Sequence, residues 1–306
     1  MEAYANTDGV ALTNNGIMHL FRQITYQLSN QDKETVFSPG QATTMLGMLN
    51  YSNDFQLAQG LNQLWYKDNT TTAVLADKGL QQDKLANVAA GKVNFSKISL
   101  FKSHEIPADA ERFNLYKQIE SKVTIPVSFR SRQCDTIAVP QATIFSWRLS
   151  VRTSPENSKY IIVGFQTNKS GDQTANPSLF DCCDLKNMYI MLNQERYPAV
   201  DYNLSFPNQQ IPRIYSDAAV FKENFYGMNE LITNSNIDPS DYKDLFPLIV
   251  FNVSYQSERL KSSTIDVQIK ATFNSAVPAG TQANVVVLSD RIIEFQSDGN
   301  KMNVVY

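Results

Sequence analysis

The chain has 306 residues, of which 42% are hydrophobic and 19% are charged, a composition typical of a soluble globular protein with a sizeable core. Its 27 basic and 30 acidic residues give a net charge of −3, which is too balanced to indicate nucleic-acid binding, and no basic arm occurs. At about 150 residues for each domain, the length predicts two domains.

The N-terminal residues, MEAYANTDGV, lack the pattern of a secretory signal peptide. The longest apolar runs, of about five residues, are far shorter than the ~20 residues that a membrane-spanning helix needs. Cys134, Cys182 and Cys183 are odd in number, and the adjacent pair lies too close for ordinary disulfide geometry. We therefore predict free thiols in an intracellular protein, cytoplasmic or nuclear, that is not secreted.

The first 50 residues predict two short helices and a hairpin. Ile17, Leu20 and Phe21 lie at helical spacing, and the chain then alternates up to a polar turn at residues 29–32. This pattern indicates a helix followed by a hairpin. The apolar run MLGML, residues 45–49, predicts the second helix.

Three segments connect this region to the second half of the chain. Residues 67–92 are polar and weakly patterned, which favours a loop, and residues 93–101 are typical of a strand. A helix is predicted over residues 107–122, because Pro107 stands at its start and one face carries Phe113, Tyr116 and Ile119. We place the domain boundary within this helix.

The second half is rich in short apolar runs. Strands are predicted over residues 135–140, 143–151, 159–167, 185–192, 247–254, 264–273 and 284–295. A helical insertion is expected over 212–227, and a further helix begins with Asp238 as N-cap and Pro239 in its first turn. Strands at this spacing favour an all-β sandwich.

The last two predicted strands carry no reactive residue. They are predicted to be two strands of one half-buried sheet, joined by the turn SAVPAG, and the first of them alternates strictly between apolar and polar residues. Its apolar face is expected to close the sandwich. Its polar face, with Asp266, Gln268 and Lys270, is a candidate contact surface.

No constellation typical of catalysis or metal binding occurs in the sequence. The only two histidines, His19 and His104, are about 85 residues apart, and we interpret them as packed or surface residues rather than as a catalytic or metal pair. The adjacent cysteines of Asp181–Asp184 lack the spacing of a zinc site. We predict no enzymatic activity, no catalytic, metal or cofactor-binding residue, and no cofactor.

Several long motifs carry a resemblance to a known family. The first half contains LTNNGIMHLFRQITYQLSNQ and PGQATTMLGMLNYSNDFQLAQGLNQLWYKD. The second half contains RQCDTIAVPQATIFSWRLSV, KYIIVGFQTNKSGD and PLIVFNVSYQSERLKSSTIDVQIKATF. Together they resemble the double jelly-roll major capsid proteins of the polinton and adintovirus type, and the double jelly-roll-like proteins of animal genomes.

This resemblance implies an all-β double jelly roll, in which two eight-stranded antiparallel sandwiches stand side by side with short helical insertions. It implies a capsid-type structural protein that self-associates, as a homotrimer forming a pseudo-hexameric capsomer, with minor capsid or penton proteins as further partners. The protein would be located in the virion if it is viral. The family has no catalytic residues to transfer to this chain.

The resemblance also implies that the first roll is incomplete. A full member of the family would have strands before AYANTDGV and further strands between LWYKD and GKVNFSKIS. We therefore predict a truncated N-terminal roll over residues 1–115 and a C-terminal roll over residues 116–306. This departure favours an endogenised genomic remnant of a capsid protein, and the alternative is a host-retained jelly-roll module that binds a glycan or a protein.

Overall fold

The computed structural model describes residues 13–28, 30–65, 97, 99, 104–149, 158–169, 175–228, 237–255, 266–299 and 302–304. The loop predicted over residues 67–92 lies outside these residues, and the strand predicted over 93–101 lies almost entirely outside them. The helices, strands and contacts of the fold are those of the described residues.

The N-terminal part contains the helix, hairpin and second helix that the sequence predicts. In chain order its elements are α1 (Gly16–His19), β1 (Gln23–Leu28), β2 (Gln31–Phe37), α2 (Pro39–Asn50) and two 3₁₀ helices (Asn53–Leu57 and Gln59–Gln63). The strands β1 and β2 pair as an antiparallel two-stranded sheet. Trp65 is buried against α2, where Gly47 leaves room for the indole ring, because a Cβ at this position would lie 2.3 Å from it.

The helix α3 (Asp109–Glu120) leads into a sandwich of two sheets. Its strands are β3 (Ile125–Ala138), β4 (Ile144–Arg148), β5 (Ser158–Thr167), β6 (Leu185–Leu192), β7 (Glu195–Tyr197), β8 (Ile249–Asn252), β9 (Val267–Phe273), β10 (Thr281–Ser297) and β11 (Met302–Val304). Between β7 and β8 lie α4 (Pro212–Ala219), α5 (Phe221–Tyr226) and α6 (Pro239–Asp244).

The pairing of these strands is that of a jelly roll. One sheet has the order β3-β10-β5-β8, with β11 added beyond the end of β5, and the other has the order β4-β9-β6-β7. If β3 is counted as the first strand and β10 as the eighth, one sheet holds the first, eighth, third and sixth strands in that order. The other sheet holds the second, seventh, fourth and fifth. These eight antiparallel strands form the two interlocked Greek keys of a jelly roll. The predicted all-β fold class is confirmed, and the domain boundary at residues 115 and 116 stays a prediction.

Aromatic and branched side chains fill the space between the two sheets. Phe165 on β5 and Phe273 on β9 face each other across the sandwich, with their ring centroids 5.5 Å apart in an edge-to-face arrangement. The opposite face of β5 is also covered, because Tyr160 packs edge-to-face on Phe221 of α5 at 5.1 Å. Covering on both faces explains why β5 is a nearly continuous apolar run instead of an alternating one.

The N-terminal part packs on the outer side of the β3-β10-β5-β8 sheet. The helix α2 contacts β3, β10 and α5, and the Thr13 hydroxyl donates to the Asn176 side chain at 2.9 Å. Arg291 on β10 donates to the carbonyl of Lys33 on β2. The hairpin and the sandwich are therefore joined by contacts between residues far apart in sequence.

Two predictions need correction. β3 begins at Ile125, ten residues before the predicted start at 135. The sequence pattern misses its first half because polar residues such as Ser128 and Arg130 hide the strand pattern there. The helical insertion predicted over 212–227 is confirmed, and it consists of two helices that meet at Val220. The last two strands, β9 and β10, do not pair with each other, because they lie in opposite sheets.

The start of α6 offers a direct test of local structure. The Asp238 carboxylate accepts hydrogen bonds from the amides of Ser240 and Asp241, as the predicted N-cap requires. We expect Asp238→Ala to lower the free energy of unfolding by about 1 kcal/mol in urea denaturation, because two helix amides lose their acceptor. Asp238→Asn is the matched control, since asparagine caps about as well, and an equal loss in both variants would contradict this explanation.

Candidate assembly surfaces

The two histidines lie in different surroundings. His19, at the end of α1, is partly buried against α2, where its Nε2 atom lies 3.2 Å from the Thr44 hydroxyl and its ring fills the space beside Gly40. Burial lowers the pKa of His19 from 6.5 to about 4, so the ring is neutral at physiological pH. His104 is exposed before α3. The structure does not bring the two histidines together, and neither lies at a shared site.

The lowered pKa of His19 predicts that acid destabilises the N-terminal part. The pKa of His19 is lower in the folded state than in the unfolded chain. Its contribution to the free energy of unfolding is therefore complete above pH 6.5 and is lost as the pH falls towards about 4. We expect protonation of His19 to lower the free energy of unfolding by about 1–3 kcal/mol. The pH dependence of the urea midpoint measures this loss. His19→Gln should reduce that dependence, whereas His104→Gln should leave it unchanged.

The three cysteines are free, as predicted. Cys134 is buried in β3, and burial raises the pKa of its thiol to about 12. Burial likewise raises the pKa of Cys183 to about 11, with the Thr167 hydroxyl 3.9 Å from its sulfur. Raised pKa values keep thiols protonated and poorly nucleophilic. Within the described ranges, no three His, Cys, Asp or Glu side chains are grouped as metal ligands would be.

The strongest surface feature begins where β10 leaves the sandwich. Beyond Ser289, β10 has no β5 partner, and its residues up to Phe295 continue to pair with the first half of β3. This two-stranded ribbon exposes apolar side chains on both faces: Val127 is 46% exposed and Ile292 is 50% exposed. Alternation along the strands places these two side chains on opposite faces of the ribbon.

The helix α3 adds to this surface. None of its residues is buried, although it carries the exposed side chains of Phe113, Leu115 and Tyr116. It contacts β10 and ends beside the ribbon, where Gln296 donates to the carbonyl of Lys122 at 3.1 Å. We call the apolar residues of this region the ribbon–helix surface; they are Phe113, Leu115, Tyr116, Val123, Val127 and Ile292.

The polar face predicted near the C-terminus forms the outer face of the β4-β9-β6-β7 sheet. Asp266 pairs with Arg148 at 2.6 Å and accepts from Gln268 at 2.8 Å. Lys270 lies in register between Ser146 of β4 and Tyr189 of β6. The structure therefore brings the three predicted contact residues together on one open face. Asp266 and Gln268, however, already interact with side chains of the same face.

A third feature is a cleft of about 580 Å³ between the hairpin and β3. Its walls are residues of β2 and of the second half of β3, and Arg22 and Arg291 also line it. Glu34 of β2 spans the cleft, since its carboxylate accepts from the amide of Arg132 at 3.0 Å and lies 3.3 Å from the Ser131 hydroxyl. The charges on its walls are mixed.

Comparison with known families decides the identity of the chain. A family model described as the double jelly roll-like domain matches residues 75–293, which is more than half of the sequence. The chain belongs to this family. This match confirms the family that the long motifs of the sequence predict. The polinton type and an origin as an endogenous viral element stay predictions.

Solved structures of capsid proteins resemble this double jelly roll-like protein weakly. The PBCV-1 virus capsid matches with a TM-score of 0.48 and 10% identity, covering 98% of this chain and 86% of the other. The mavirus major capsid protein matches with a TM-score of 0.29 and 14% identity, covering 59% and 41%. Both TM-scores are below 0.5, so the family match and the strand order establish the fold. No curated protein matches the sequence, and no helix among the described residues is long and apolar enough to cross a membrane.

The sequence does not reveal the ribbon–helix surface. A face with Phe113, Tyr116 and Ile119 has the same spacing whether it packs inside the chain or against another molecule. The available signal is the length of β3 and β10: strands of 14 and 17 residues are longer than the width of an ordinary sandwich.

Proposed function

We propose that the protein is a capsid-type structural subunit, or the endogenised remnant of one, that works by self-association and carries out no catalysis. Membership of the double jelly roll-like family supports this proposal. The homotrimeric capsomer, minor capsid or penton partners, and location in the virion of a viral form belong to the same proposal.

The ribbon–helix surface is the observation that carries it. A helix of 12 residues is marginally stable alone in water and normally depends on burying one apolar face. No residue of α3 is buried, yet Phe113 is 74% exposed and Tyr116 is 53% exposed. A region in which a helix and a ribbon expose several large apolar side chains is typical of a contact between proteins.

Sedimentation velocity over a wide range of protein concentrations tests this function. We expect monomers at low concentration and trimers at high concentration, with a reversible transition between them. A single monomeric species at every concentration would contradict self-association, and an assembly of another size would contradict the trimer alone.

The alternative is a host-retained module that binds a glycan or a protein, and it stays a prediction. The outer face of the β4-β9-β6-β7 sheet does not favour glycan binding. Sugars stack on open aromatic rings. Tyr189 of β6 is the register partner of Lys270 and is an aromatic residue of this face. The guanidinium of Arg196 lies 4.0 Å from the centroid of the Tyr189 ring and so covers it. Binding to a glycan array, lost in Tyr189→Ala, would favour the alternative.

A further inference from the structure

The cleft beside the hairpin follows the edges of two strands. Consecutive residues line both of its walls: 32–35 on β2 and 133–136 on β3. Successive side chains of a strand point to opposite faces, so a groove on the face of a sheet would be lined by every second residue. Lining by consecutive residues means that the strands present their edges, with their backbone groups, to the cleft.

The amides of β3 that face the cleft can be identified. Val139 donates its amide to the carbonyl of Thr281 on β10 at 2.9 Å, whereas Arg132 donates in the other direction, to Glu34. Because backbone groups alternate sides along a strand, the amides of Arg132, Cys134 and Thr136 point away from β10. They lie at the positions where a further strand would pair.

Side-chain carboxylates occupy two of these positions. Glu34 accepts from the Arg132 amide at 3.0 Å, and Asp135 accepts from the Thr136 amide at 2.9 Å. An unpaired strand edge is a template for pairing with another chain, and charged side chains commonly cover it in the free protein. Glu34 and Asp135 therefore act in place of the carbonyl groups of a missing strand.

We propose that this cleft receives an extended segment from a second copy of the chain, which displaces these carboxylates and adds to β3 as a strand. The wall from Ser131 to Thr136 is about 20 Å long, enough for a segment of about six residues. The inference rests on the proposed self-association and names one contact through which it occurs.

The charges in the cleft are compatible with this exchange. When a strand displaces Glu34 and Asp135, their carboxylates must find other partners, because an unpaired buried charge is costly. Arg22, Lys33 and Arg291 line the same cleft. With Asp32 as the remaining acid, three cationic and three anionic side chains surround the added strand, so no net charge is left behind.

Continuity of the β3 edge favours a second copy as the donor. The strand that forms the cleft wall is the same strand whose first half, Ile125–Arg130, forms the ribbon with its exposed Val127. A neighbouring copy that packs on the ribbon–helix surface therefore lies next to the Ser131 end of the cleft. Backbone pairing would then fix the register of a contact that apolar packing alone leaves loosely defined.

Hydrogen exchange of the full chain tests the inference. We expect backbone exchange in a peptide covering residues 131–137 to slow by about tenfold when the protein passes from dilute monomer to associated form. The edge strand β4, residues 144–148, is the internal control and should be unaffected. Association without slower exchange at 131–137 would overturn the inference and leave the proposed function standing, and a monomer at all concentrations would overturn both.

A proline pair provides the second measurement. Arg132→Pro removes an amide that points away from β10, so the β3–β10 ladder is kept while the added strand loses one donor. Ser146→Pro is the matched control, because the amide of Leu149 donates to Val267 of β9 and alternation turns that of Ser146 outward. We expect the first variant to weaken association about tenfold and the second to leave it unchanged. Equal association in both would overturn the inference, provided that circular dichroism shows both to be folded.

Discussion

Replacing Phe165 with alanine is expected to lower the free energy of unfolding by about 3–5 kcal/mol, a large fraction of the stability of an ordinary domain. Phe165 has no solvent exposure, and its ring packs edge-to-face on Phe273 of the opposite sheet at 5.5 Å. Truncation removes buried apolar area and leaves a cavity between two sheets that cannot close around it. The measurement is the urea midpoint, followed by the fluorescence of the buried Trp147.

Phe113→Ala is the matched control for this change. The same atoms are removed, but from a side chain that is 74% exposed on a helix without buried residues. The free energy of unfolding of the monomer should change by no more than about 0.5 kcal/mol. If the two variants lost similar stability, Phe165 would not be the contact that holds the sheets together.

The second large effect concerns association rather than folding. Phe113→Asp is expected to raise the dissociation constant of self-association by about a hundredfold, because a fully buried phenylalanine contributes about 2–3 kcal/mol to a contact and a carboxylate there must be desolvated. The fold of the monomer should be unaffected, since the side chain makes no buried contact within it. Sedimentation equilibrium on purified protein measures the change.

Lys270→Glu is the control for surface position. It reverses a charge in the centre of the outer sheet face, the contact surface that the sequence suggests. We expect its dissociation constant to stay within about threefold of the original, in line with the small effect of exposed charges. The opposite outcome, in which Lys270→Glu dissociates the protein and Phe113→Asp does not, would assign assembly to the sheet face.

The sandwich is predictable because its burial is regular. Phe145 and Trp147 on β4 alternate with exposed residues, and Val267, Ile269 and Ala271 on β9 alternate with half-buried ones, so each strand shows which face is buried. The positions of these strands follow from the sequence alone. Their partners do not: apart from the pairs β6–β7 and β10–β11, the neighbours in each sheet of the sandwich are far apart in the chain, and local periodicity does not encode such long-range contacts.

The parts that escape prediction have mixed or short patterns. The first half of β3 is partly exposed, so Ser128 and Arg130 stand where a buried strand would be apolar. β7 has only three residues, too few to show any period. The cleft cannot be predicted either, because Glu34 and Arg132 are 98 positions apart and meet only after folding.

The length of β10 has a mechanical consequence. A single 17-residue strand runs from the middle of the sandwich into the ribbon, and β3 pairs with it antiparallel from Gln282 to Phe295. A neighbour that pulls on the ribbon along its axis pulls β3 and β10 in the same direction. The ladder between β10 and β5, from Thr281 to Ser289, is then loaded in shear, so its hydrogen bonds must break together instead of opening one after another from an end. Tension between subunits would thus be transmitted directly to the core of the roll, and the sandwich itself would resist it.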